Sequence, residues 1–225
     1  MKNVIRIIKL SLLALVIALG FYLGPTRVME IDLKSQYPNL PNGCEVTSLS
    51  MLISHEGINV RPEQLSDNFL KKSGLTNANP DLAYIGNPRS NSRGYYAYAR
   101  PIVECANSYF ESIGARNYAL DKTGMNILSL LHSVAISKKP VAVWYTTDGK
   151  SPEYSVNSYT DERGERVSFY KNLHCVVVHG LGKGMVYIAD PIHGKKTVNF
   201  IEFAKIYYQM GQRAIVVKQD KINKI

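Results

Sequence analysis

Apolar positions in this chain follow two different periods. Up to about residue 137 they recur at helical spacing, and beyond 140 they alternate or run on as strands do. Over 44–56 the apolar positions are Val46, Leu49, Leu52 and Ile53, and Gly57 stops the helix they predict. Pro62 opens a short helix to about Lys71, and 76–94 is a long loop rich in Asn, Pro and Gly. Pro101 opens another helix, with Ile102, Val103, Ala106, Phe110 and Ile113 on one side, ending at Gly114. A further helix covers 125–137 through Ile127, Leu128, Leu131, Val134 and Ala135. Strands follow at 140–147 (PVAVWYTT), 174–181 (HCVVVHGL) and 185–190 (MVYIAD), with a polar hairpin near 161–164. An amphipathic helix over 200–210 and a last strand over 213–218 (RAIVVK) complete the pattern. Helices first and antiparallel strands second predict an α+β fold with segregated halves, and exclude a doubly wound nucleotide-binding sheet. The spaced glycines at 20–24 and 180–184 lack the context of a phosphate loop.

The amino terminus stands apart. Lys2, Arg6 and Lys9 precede an uncharged stretch over 10–26, whose apolar heart is 10–23, and Arg27 closes it. That length sits at the lower edge of what spans the ~30 Å hydrocarbon core of a bilayer. A basic flank before such a run reads as an export signal or an uncleaved signal anchor, with the basic end kept in the cytoplasm. Residues 1–28 are therefore expected to be targeting sequence. Residues 29–225 are expected to form one domain outside the cytoplasmic membrane, single-pass anchored or secreted if the segment is cut.

Composition adds exclusions. With 45% apolar and 20% charged residues the chain is too apolar for a disordered protein. The net charge of +9 falls to +6 once the three terminal basic residues are set aside. The rest are scattered, so no nucleic-acid partner is expected. Three cysteines, a low and odd number, make no disulfide framework. No spacing of Cys, His and acids suits a metal, and no cofactor is expected. The glycine-flanked serine elbow of a serine hydrolase is missing.

Three places carry chemistry. Cys44 starts a helix directly after Asn42-Gly43, where free N–H groups and the helix dipole favour a thiolate and face a developing oxyanion. His174 begins one strand of a hairpin and Asp190 ends the next. A three-residue turn centred on Lys183 sets Val176 opposite Asp190, with His174 diagonally beside it on the same face. Asp190 can then hold the imidazole and leave its other nitrogen as a base, whereas a two-residue turn would move Asp190 to the other face. His179, Cys175 and Cys105 read as structural. Gln36, eight residues before Cys44, offers a side-chain amide to the oxyanion.

In this order the residues resemble the papain-like cysteine peptidases related to bacteriocin-leader-processing (C39-like) peptidases, in particular their stand-alone exported bacterial relatives. The likeness rests on QYPNLPNGCEVTSLSMLI, DLAYIGNPRSNSRGYYAYARPIV and HCVVVHGLGKGMVYIADP, and runs from about Gln36 to Val217. It implies Cys44 as nucleophile, His174 as base, Asp190 as the residue orienting it and Gln36 as the oxyanion glutamine. Two departures are the longer connection through Pro38 and Pro41, and Gly43 in place of a polar residue before the cysteine. No transporter segment accompanies the domain, so cleavage of double-glycine leaders is not carried over.

The expected activity is hydrolysis of a peptide or protein substrate through an acyl-enzyme. Two other readings use the same frame. One is a peptide- or wall-binding module without turnover, to which Tyr95, Tyr96 and Tyr98 would lend a gripping surface. The other is an acyl transferase or amidase. Cys105 and Cys175 are expected to be buried and unpaired, leaving Cys44 as the readily titratable thiol.

Overall fold

The structure is a computed structural model and describes residues 5–6 and 24–220. Its centre is an antiparallel sheet in the order β10 (Gly194–Asn199), β9 (Met185–Asp190), β8 (Leu173–Gly182), β5 (Val141–Thr146), β11 (Ala214–Gln219) and β4 (Asn117–Asp121). A two-residue strand β1 (Arg27–Val28) pairs with Gly180 and Leu181 of β8. All six residues of β5 are buried, as a short apolar run must be when both faces of a central strand are covered. On one side lies helix α1 (Cys44–His55), whose Ser48 hydroxyl donates to the Cys175 carbonyl at 3.0 Å. Helix α5 (Phe200–Gln209) also packs on the sheet, with Phe203 stacked on Tyr145 at 5.5 Å between ring centroids.

The expected helices are present with shifted ends. They are α1, α2 (Pro62–Asn68), α3 (Ala99–Ser112), α4 (Ile127–Ala135) and α5. Helix α3 begins two residues before the Pro101 expected to open it, leaving the proline inside the first turn, where its missing N–H costs nothing. Halves are less segregated than the pattern predicts. Strand β4 comes from the helical half and joins the sheet edge beside β11, and β10 extends the other edge. Neither strand was expected from the sequence: β10 is half-exposed and polar (GKKTVN) and β4 is short.

Two smaller sheets flank this core. Strands β2 (Lys72–Ser73) and β3 (Tyr84–Ile85) pair in parallel, and β6 (Tyr154–Thr160) pairs with β7 (Arg166–Tyr170) as the expected polar hairpin. Ala78 and Ile85 from the long loop and Tyr96 just beyond it bury themselves against Tyr159 and Phe169 of that hairpin as a second apolar cluster. Tyr95 lies flat on Phe169 with 3.8 Å between centroids, and Arg213 sits 3.5 Å over the Tyr98 ring. The three tyrosines read as a gripping surface are thus largely spent on packing.

The hairpin joining β8 to β9 corrects the sequence-derived register. Its turn has two residues, Lys183 and Gly184, both at positive φ (53° and 71°), as the right-handed twist of the flanking strands demands. Gly182 pairs with Met185, Leu181 with Val186 and Gly180 with Tyr187. Left alone, that register would put His174 and Asp190 on opposite faces. A β-bulge intervenes: the next pairs are Val178 with Ile188 and Val177 with Ala189, so His179 is the extra residue. Continuing one step sets Val176 opposite Asp190. The bulge supplies the residue that a longer turn was expected to supply.

No helix among the described residues is long and apolar enough to cross a membrane. The apolar run over 10–26 lies outside the described residues except for 24–26.

Candidate active site

Asp190 is the hub of the site. One of its carboxylate oxygens accepts from His174 Nε2 at 2.7 Å and from the Ile192 N–H at 2.8 Å. The other accepts from His193 Nδ1 at 3.1 Å and lies 2.8 Å from the Lys196 ammonium. Burial works to raise this carboxyl, but His174, Lys196 and the Ile192 N–H outweigh it and hold the group far below the ordinary carboxylate range. His174 itself is buried, and with Nε2 engaged its Nδ1 is the nitrogen left for a reaction. His193 and Lys196 went unrecognised in the sequence. Their approach to Asp190 depends on the turn at 191–193 and on β10, which carries no strong pattern.

Cys44 stands at the first residue of α1, as expected. Gly43 precedes it because a Cβ there would lie 2.6 Å from the Leu40 Cβ. The loop leading in is held from three sides. Tyr84 donates its hydroxyl to the Asn42 carbonyl at 2.6 Å, Asn42 Nδ2 donates to Ser90 O at 2.7 Å, and the Asn42 N–H donates to Pro88 O at 3.1 Å. The motif over 81–103 therefore shapes the entry to Cys44.

Helix α1 delivers the sulfur to strand β8, where the Cys175 backbone, one residue beyond His174, pulls the thiol down against the larger effect of burial. The thiol in turn donates to Glu45 Oε2 at 3.3 Å rather than to His174. Here the expectation of a thiolate is overturned for this state. Burial, then the negative charge of Glu45, push the Cys44 thiol well above its ordinary range. A helix start lowers a thiol and burial raises it, and here burial prevails with the Glu45 carboxylate adding to it. All three cysteines are unpaired and buried, Cys44 at 7% exposure against 1% for Cys105 and Cys175. In this state Cys44 is the most accessible of the three but not freely titratable.

Gln36 is brought beside the same elements. Its N–H donates to Pro191 O at 3.1 Å, next to Asp190, and its Nε2 donates to Pro41 O at 2.7 Å in the loop before Cys44. One amide hydrogen is thus committed to the chain and the second remains for a ligand. Gln36 Oε1 is buried without a partner. Among the described residues, His174, Asp190 and His193 form a group whose donor atoms lie within 4.8 Å of one another. A metal would have to displace the hydrogen bonds that fill Asp190.

The Peptidase_C39 like family model matches residues 28–215. The chain belongs to that family. The family is one of papain-like peptidases, and the resemblance read from the motifs is borne out. The curated protein YvpB of Bacillus subtilis strain 168, which is uncharacterised, is 28% identical over 204 residues, covering 87% of this chain and 78% of its own. A crystal structure of a C39-like protein from Bacillus anthracis is 30% identical, with a TM-score of 0.76, covering 88% of this chain and 99% of the other. The α+β class agrees with it.

Proposed function

We propose that this protein is a cysteine peptidase in which Cys44 attacks, His174 carries the proton, Asp190 orients His174, and Gln36 with N–H groups at the start of α1 receives the oxyanion. The observation that carries the reading is the buried His174–Asp190 hydrogen bond, on the strand whose next residue, Cys175, lies against the Cys44 sulfur at the start of α1. A family of peptidases supports it.

The chemistry follows from the atoms. The Cys44 S–H bond breaks and its proton passes to His174 Nδ1 while sulfur bonds the scissile carbonyl carbon. The oxyanion is met by the free Gln36 amide hydrogen and backbone N–H groups. Collapse breaks the C–N bond, His174 returns the proton to the leaving amine, and a thioester remains. Water, deprotonated by His174, then releases the acid and the thiol. The thiol hydrogen turns from Glu45 to His174 before the first step, and the sulfur keeps its contact with Glu45.

The uncharged run over 10–26 supports placement of the domain, 29–225, outside the cytoplasmic membrane, as an anchored or released enzyme acting on extracytoplasmic peptides. Turnover of a broad peptide library by the soluble domain, with Cys44→Ala alongside, tests the enzyme reading. Loss of all cleavage in Cys44→Ala with unchanged folding is expected, and equal activity in both proteins would remove Cys44 from the mechanism.

A further inference from the structure

Glu45 follows the cysteine directly and is 1% exposed. Its Oε1 accepts the Ala97 N–H at 3.1 Å and its Oε2 accepts the Cys44 thiol at 3.3 Å. Ala97 is fixed from its other side by Trp144, whose Nε1 donates to the Ala97 carbonyl at 3.0 Å. The carboxyl is therefore clamped between a rigid backbone and the sulfur.

Among the described residues, the titratable groups whose charge couples to Glu45 are acids. Cys44 lies on its own helix, Cys175 on β8, and Tyr84 on β3. Among the described residues no Lys, Arg or His forms an ion pair with it. A buried carboxylate without a cation lowers its free energy by taking a proton. Consistent with this, burial pushes the Glu45 carboxyl up to about 7, against the pull of its own N–H and that of Ala97.

Transfer of the Cys44 proton to His174 creates an anion on the sulfur at Glu45's edge. An ionised Glu45 repels that anion, whereas a neutral Glu45 donates its O–H to it. We propose that Glu45 is a further catalytic residue, touching the reacting sulfur: protonated, it donates a hydrogen bond to the Cys44 thiolate, and ionised, it holds Cys44 as a resting thiol. Proton inventory is conserved, since Glu45 keeps its own proton while the Cys44 proton goes to His174. The enzyme is thereby switched off as pH rises through the titration of Glu45. This rests on the reading of Cys44 as nucleophile.

The test uses the whole extracytoplasmic domain and follows iodoacetamide alkylation of Cys44 against pH in wild type and in Glu45→Gln, with the labelled peptide mapped. Alkylation needs no substrate, so it answers for Glu45 whether or not peptides are cleaved. Below neutrality the ratio of the two rates should stay constant. Above it the wild type should fall behind by about tenfold or more, the factor that one pKa unit represents, while Glu45→Gln holds its rate. Parallel profiles throughout overturn the proposal. If Glu45→Gln does not fold, carboxyl carbon NMR of wild type and Cys44→Ala decides. A Glu45 midpoint near neutrality in the wild type, raised or unchanged when the thiol that donates to it is removed, agrees with the proposal, and a midpoint in the ordinary glutamate range overturns it. Peptide cleavage is measured alongside: a shifted alkylation profile with no cleavage at any pH would sink the peptidase reading and leave the Glu45–Cys44 coupling standing.

Discussion

Replacing His179 with Ala removes the ring that pins the bulge in β8. His179 is 3% exposed, its Nδ1 donates to Met29 O at 2.8 Å, and the Met29 N–H donates back to His179 O at 2.8 Å. The substitution leaves the half-buried Met29 carbonyl without its side-chain donor, which costs at most about 1–3 kcal/mol. Taking about 2 kcal/mol, a domain of this size should lose roughly 4–8 °C in Tm. Activity at low temperature should survive. Slipping the register would turn every side chain of the buried run over 173–178 to the opposite face, which costs far more than an unpinned bulge.

The same residue makes a pH prediction. Burial lowers the His179 imidazole below its ordinary range, against the opposing pull of the Met29 carbonyl. The folded protein therefore holds it neutral where the unfolded chain, with a pKa of about 6.5, takes a proton. Below that value the unfolded state binds more protons, so stability rises with pH through the window and falls as pH drops towards the depressed native value. His179→Asn places an amide donor near the position of Nδ1 and has nothing to titrate. Urea unfolding over a pH series should show a smaller acid-side slope in His179→Asn than in wild type, with a lowered midpoint in His179→Ala. Midpoints and slopes identical in all three proteins would mean that the bulge is fixed by something other than this ring.

Two further substitutions test the site from either side. Gly43→Ala forces a Cβ to within 2.6 Å of the Leu40 Cβ, and should cost about 1–3 kcal/mol by strain, read as a fall in Tm with a slower Cys44 alkylation. Asp190→Asn leaves the size of the side chain but removes the charge that faces His174, His193 and Lys196. Breaking such a buried pair costs about 3–5 kcal/mol, and peptide cleavage should fall by about 10²-fold or more as the imidazole loses its orientation. Because the carboxyl is held low in the fold, the stability it contributes is present above the ordinary carboxylate range and fades in acid. The Asp190→Asn variant should therefore be less acid-sensitive than wild type.

How much of this was legible follows from which constraints are local. Helix α1, with Val46, Leu49, Leu52 and Ile53 at helical spacing and Gly57 beyond it, could be read because period and stop signal both lie within the segment. The run HCVVVHGL is equally plain. The relation of His174 to Asp190 is not local: it depends on a sum of turn length and bulge, and the sequence fixes neither term separately. Lys183-Gly184 suits a two-residue turn, which alone would have parted the pair, and the bulge at His179 is stabilised by Met29, 150 residues away. Two departures from the simple reading cancel, so the face shared by His174 and Asp190 was inferred through a turn that does not exist. Glu45 shows the opposite case. It stood in plain view beside Cys44, but an acid in the first turn of a helix is usually a solvated charge that suits the dipole. Only the Ala97 N–H and the Trp144 indole, brought in from beyond residue 90, turn it into a buried carboxyl. The electrostatics of the cysteine belong to that long-range closure, and a motif such as LPNGCE carries the cysteine's place at the helix start without the protonation state that governs it.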